Sequence, residues 1–133
     1  MISTIHTNRL SASIEGKIRF DQAAPSVLRV LVPIYHEDGD MYDIFLQETN
    51  GKLILCDFGM TLTRLSYRAD TDTEEATRRF AKIAANNGVT FDRGNLWMET
   101  SYENFFIDLM QYAVAVSKVS KLEPMDNTFP NEN

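Results

Sequence analysis

The sequence predicts an α+β fold: an antiparallel sheet, made of a three-stranded meander plus two short strands, with N-terminal, middle and C-terminal helices packed mainly on one face. Three observations carry that expectation. Asn50-Gly51, which accepts positive φ at both positions, joins two apolar runs as a type I′ hairpin turn does. Alternation of period two puts Tyr42, Ile44 and Leu46 on one face of a strand and Asp43, Phe45 and Gln47 on the other. Helical spacing takes over after two polar starts, at about 72–86 and again from about 101.

Element by element, apolar Ile2, Ile5, Leu10 and Ile14 predict a short amphipathic helix closed by Gly16. Ile18 and Phe20 form a short extended piece, and Asp21–Pro25 reads as a loop because proline lacks the donor that a helix or ladder needs. Val27–Val32 is apolar on both faces and β-branched, the pattern of a strand covered on both sides, and Pro33 ends it. His36–Asp40 is a polar turn. Tyr42–Glu48 and Lys52–Cys56 complete the meander. Met60–Tyr67 is a short helix or turn. Thr71 and Glu74 have capping-box spacing and open a helix from about Asp72 to Asn86 that buries Ala76, Phe80, Ile83 and Ala84 and stops at Gly88. Val89–Asp92 and Asn95–Glu99 are short strands joined by Arg93-Gly94. Thr100 and Glu103 mark a second capping box, before a helix with Phe105, Phe106, Leu109, Tyr112, Ala113 and Val116 on its apolar stripe.

A chain of 133 residues, 44% apolar and 24% charged, has the make-up of one globular domain, expected over residues 1–123 with a flexible polar tail at 124–133. Thirteen basic and nineteen acidic residues leave a net charge of −6, which opposes direct nucleic-acid binding. Residues 37–60 hold six of the acids against one basic residue. Cys56 is the lone cysteine, so there is no internal disulfide and no multi-cysteine zinc site. The first residues lack a basic start leading into an apolar run, and the apolar stretches 27–35 and 105–116 fall short of the ~20 residues that cross a bilayer. A cytoplasmic protein without a membrane segment is expected.

Several residues have chemistry to weigh. Glu37, Asp38, Asp40 and Asp43 crowd one turn, and Asp57 ends the next strand; hard cations favour such oxygens, but the spacing is not that of a calcium loop, and a solvated turn is the simpler reading. Asp57-Phe58-Gly59 has the letters of the protein-kinase metal-binding triplet without the glycine-rich loop, strand lysine or catalytic loop that a kinase needs. Its structural reading is that Asp57 turns the chain and caps the segment starting near Met60, while Gly59 supplies an unusual backbone angle. Cys56 is expected to be a buried inert thiol unless His36 lies beside it. Arg64, Arg68, Arg78, Arg79 and Lys82 are interleaved with Asp70, Asp72, Glu74 and Glu75 as a salt-bridged helix surface would be. Trp97 and Phe105-Phe106 read as core aromatics, either of which can anchor a dimer.

Gly39-Asp40-Met41-Tyr42-Asp43-Ile44, then Leu53-Ile54-Leu55-Cys56-Asp57-Phe58-Gly59-Met60-Thr61-Leu62, then Leu65, resembles the bacterial domain of unknown function 1828 over roughly residues 25–120. The resemblance implies a prophage or other mobile-element setting and lends no catalytic residues. The element order is also similar to that of class I type III secretion chaperones, small acidic dimeric α+β proteins, although architecture alone does not carry function. The expected function is a non-catalytic protein-interaction module, an adaptor or inhibitor without cofactor or metal. Its contact surface would draw on Asp38, Asp40, Asp43, Asp57, Trp97 and Phe105. The sheet's open face or the C-terminal helix would serve as a homodimer surface. The alternatives are an acidic nucleic-acid mimic that inhibits a host nuclease or defence protein, a secretion-chaperone-like protein, and a small metal-dependent hydrolase. The mimic requires the four aspartates to line one surface.

Overall fold

The computed structural model describes residues 6–67 and 70–122; the expected tail at 124–133, Ile2, Ile5 and Arg68 lie outside them. The elements run α1 (Thr7–Ile14), β1 (Arg19–Ala24), β2 (Val27–Leu31), β3 (Ile44–Thr49), β4 (Lys52–Cys56), α2 (Met60–Ser66), α3 (Glu74–Asn86), β5 (Thr90–Asp92), β6 (Asn95–Thr100) and α4 (Phe105–Ser120). The six strands form one antiparallel sheet in the order β1-β2-β3-β4-β6-β5. The fold is α+β, as the sequence predicts. The meander has four strands, because 21–24 is not a loop. It pairs with β2 up to Ala24↔Val27, so that Pro25 falls in the turn, where its missing donor costs nothing. At the next hairpin Asn50 and Gly51 have φ of 51° and 77°, the left-handed pair that a type I′ turn requires.

Alternation along the strands divides the sheet into two faces. Val30, Ile44, Leu55 and Leu96 point to the side covered by helices and are fully buried there with Leu109, Tyr112 and Val116 of α4. Tyr112 donates its hydroxyl to Leu96 O at 2.7 Å, which satisfies the polar end of a ring buried on the sheet. Phe80 of α3 meets Phe91 of β5 edge to face on the same side. On the other face, Phe45, Cys56 and Trp97 form one cross-strand row and Val27, Leu31 and Ile54 flank it. Among the described residues no helix packs there, and Val27 and Leu31 are only half-buried, so β2 is not covered on both sides as its composition suggests.

Helix starts also differ from the spacing rules. Thr73, not Thr71, caps α3 by accepting from Ala76 N at 3.0 Å. α4 has no side-chain cap: Ser101 Oγ accepts from Asn104 N, and Thr100 donates its hydroxyl to Asp108 at 2.8 Å, so Glu103 is released from the expected box. No helix among the described residues is long and apolar enough to cross a membrane.

Candidate functional site: an arginine-clamped acidic groove and an exposed helix stripe

Asp57 is fully buried at the end of β4. One carboxylate oxygen accepts from Gly59 N at 2.9 Å and Leu96 N at 3.1 Å, and the other from Thr61 N at 3.1 Å. The side chain thereby closes its own turn, caps α2 and ties both to β6, as the reading of a turn-forming and capping aspartate anticipates. Phe58 and Gly59 both take left-handed angles, φ 50° and 78°, with Met60 N donating back to Asp57 O. A phenylalanine is costly there, and its ring, 47% exposed, lies edge-on to Phe45 on the open face.

The other acids meet around one cation. The segment after β2 folds back on itself through Tyr42 N donating to Ile34 O and His36 N donating to Asp40 O, and it delivers three carboxylates to Arg64 on α2. Asp38 lies at 2.9 Å from one terminal guanidinium nitrogen, Asp40 at 2.7 Å from the other and Asp43 at 3.9 Å from Nε. Asp43 also faces Arg29 of β2 at 3.5 Å. Arg64 is therefore not paired with Asp70, Asp72, Glu74 or Glu75, its neighbours in sequence. Arg29, Asp38, Asp40, Asp43 and Arg64, with Tyr35, His36, Tyr67 and Lys121, line a shallow groove of about 1300 Å³. The Arg64 hydrogen bond holds the Asp38 carboxyl below its usual range and pushes the guanidinium further up. His36 stacks on Tyr42 at 4.5 Å, and burial, then Arg64, lowers its pKa against the pull of the aspartates.

The structure thus joins Asp38, Asp40 and Asp43 and leaves Asp57 out, so the four aspartates do not line one surface. No group of histidine, cysteine and acidic residues with the makings of a metal site occurs among the described residues. Cys56 is buried between Phe45 and Trp97 in the ladder, and burial pushes its thiol up to about 11. His36 is engaged with Tyr42 rather than with this thiol. Trp97 is half-buried on the open sheet face, and Phe105 is half-buried against Phe20 at 5.7 Å.

Phe106 is not core. Helical spacing places Phe106, Ile107, Met110 and Val114 along the outer side of α4, opposite buried Leu109, Tyr112, Val116 and Val119; Phe106 is 57%, Ile107 69% and Val114 48% exposed. Sequence reasoning missed Ile107 and Val114, although the signal is visible. Between Phe105 and Val116 only Asp108 and Gln111 are polar, too few for a helix that keeps one wet side. Both are tethered: Asp108 accepts from Thr100, and Gln111 donates to Asn87 O at 3.0 Å. α1 has no buried residue, and its Leu10 and Ile14 are exposed as well.

No curated protein and no solved structure matches the chain. A family model does match, over residues 32–119, which takes in most of the groove, the Asp57 turn and nearly all of α4. The chain belongs to the family described as Domain of unknown function DUF1828.

Proposed function

We propose that this chain is a non-catalytic protein-interaction module of the cytoplasm, encoded by a prophage or other mobile element and acting as an adaptor or inhibitor. The outer stripe of α4 carries the reading. Phe106, Ile107 and Val114 stand in water on a helix whose other side is already fully used by the core. Covering each of them is worth roughly 1–2 kcal/mol, the kind of gain that drives association between proteins. The groups with chemical potential are meanwhile committed within the fold. Asp57 accepts three backbone donors, the carboxylates of Asp38 and Asp40 are clamped by Arg64, and the Cys56 thiol is held neutral by burial.

A photo-crosslinking amino acid at position 107, compared in cells of the natural host with one at exposed Lys82 on α3, tests the reading. Protein adducts from position 107 and not from position 82 are expected. Position 107 yielding no more adduct than position 82 would overturn the assignment of α4 as a contact surface.

A further inference from the structure

We infer that the occupant of the α4 stripe is a second copy of this chain, packed antiparallel to the first across a twofold axis near the middle of the helix. This rests on α4 being the contact surface and adds who the partner is and how it lies. The order of charge along the stripe carries the argument. Glu103 stands just before the first turn, Phe106, Ile107, Met110 and Val114 fill the middle, and Lys118 and Lys121 close the far end. Glu103 has no part in capping α4, because Ser101 accepts from the Asn104 N–H. Lys118 is held at its end of the stripe by a hydrogen bond to Asn87 Oδ1 at 3.1 Å.

A twofold interface must be complementary to itself. Antiparallel packing about an axis near Met110 and Gln111 sets Ile107 against Val114 of the second copy and Met110 against its own counterpart. The same register brings each Glu103 to Lys118 and Lys121 of the other chain, so opposite charges meet at both ends of the apolar contact. Parallel packing would bring glutamate to glutamate and lysine to lysine. With 16 residues, α4 is about 24 Å long. A contact made chiefly by one such helix from each side sits at the small end of specific interfaces, and a dissociation constant on the order of micromolar is expected.

Sedimentation velocity of the full chain at about 5–200 µM, a range spanning micromolar affinity, is the test. The wild type is expected to move to twice the monomer mass with concentration, and Ile107→Glu to stay monomeric while matching the wild type's melting curve in dilute solution, where both are monomers. Val114→Lys repeats the test should Ile107→Glu fold poorly. Glu103→Lys alone, or Lys118→Glu with Lys121→Glu, should weaken the dimer several-fold in low salt, and the three together should restore it. A wild type that is monomeric at the highest concentration overturns the inference, as does a dimer indifferent to Ile107→Glu. A dimer that breaks with Ile107→Glu but ignores the charge exchanges overturns the antiparallel order. Self-adducts from the crosslinker at position 107 support both readings. Adducts to a different protein from a monomeric chain retain the interaction module and remove the second copy.

Discussion

Asp57 and the trio Asp38, Asp40 and Asp43 are the same residue in two environments, and the chain uses them in opposite ways. Asp57 is buried, and its partners are main-chain N–H groups from three places in the chain, so it acts as part of the backbone architecture. The trio gathers around Arg64, and Asp38 and Asp40 meet it at the protein surface, where water competes for every contact and salt screens what remains. A carboxylate's contribution therefore follows from whether its partner has any alternative. Buried N–H groups have none, whereas a surface guanidinium has the solvent.

Substitutions separate the two sites, and the largest effect belongs to Asp57. Asp57→Ala removes the acceptor for three N–H donors, each worth about 1–3 kcal/mol when stranded. A loss of about 3–5 kcal/mol in urea unfolding is expected, enough to unfold a domain of ordinary stability. Asp57→Asn should cost less, since one amide oxygen still serves Gly59 and Leu96 while its NH₂ opposes the Thr61 N–H. Equal losses for both variants would show that charge rather than geometry matters here.

Gly59→Ala comes next. A Cβ there meets only Gly94 O at 3.5 Å and Asn95 Oδ1 at 3.6 Å, so space is adequate and the penalty is the positive φ alone, about 1–2 kcal/mol in the same assay. A much larger loss would mean that the turn cannot accommodate the methyl group.

Arg64→Ala should lower the melting midpoint by only about 2–4 °C, while its clearest readout is titration. Without the guanidinium, the Asp38 carboxyl rises toward its ordinary value. His36 rises as well, because the Arg64 charge is, after burial, the second cause of its depression. Both groups have folded pKa values below their unfolded ones. Each contribution to stability is therefore present above the unfolded value and lost as pH falls through the folded value. NMR titration of the Asp38 carboxyl and the His36 ring in both proteins checks the direction. A fall in either value on losing Arg64 would contradict the clamp.

The smallest expected effect is at Cys56. With the thiol pushed up to about 11 and buried, alkylation at about pH 8 should be negligible in the folded protein and complete in denaturant. Rapid labelling of the native chain would mean that the open sheet face admits reagent to the ladder between Phe45 and Trp97.

Much of the fold was legible because it rests on local rules. Asn50-Gly51 has one favoured use, and the alternation of Tyr42–Glu48 correctly sorted Ile44 from Phe45 between the two faces. The misreadings share a cause. Gln22–Ala24 resembles a loop until β2 offers a ladder, and Val27–Val32 resembles a fully covered strand because apolar residues on an open face read the same as buried ones. Thr71 and Thr73 both have the chemistry of a cap, and only the path of the chain selects between them. Phe106 reads as core because a helix that is apolar on two sides offers no polar residue to mark the outer one.

By itself, the sequence determined most of the element types, the hairpin, the turn at Asp57 and the acidic excess of residues 37–60, since neighbouring residues settle backbone geometry and local charge. The tertiary structure alone decided that Arg64 would find Asp38 and Asp40 rather than the nearer acids of 70–75. It also left the second apolar side of α4 in water. Those outcomes depend on which elements meet across long stretches of chain, and no spacing along the sequence encodes that distance.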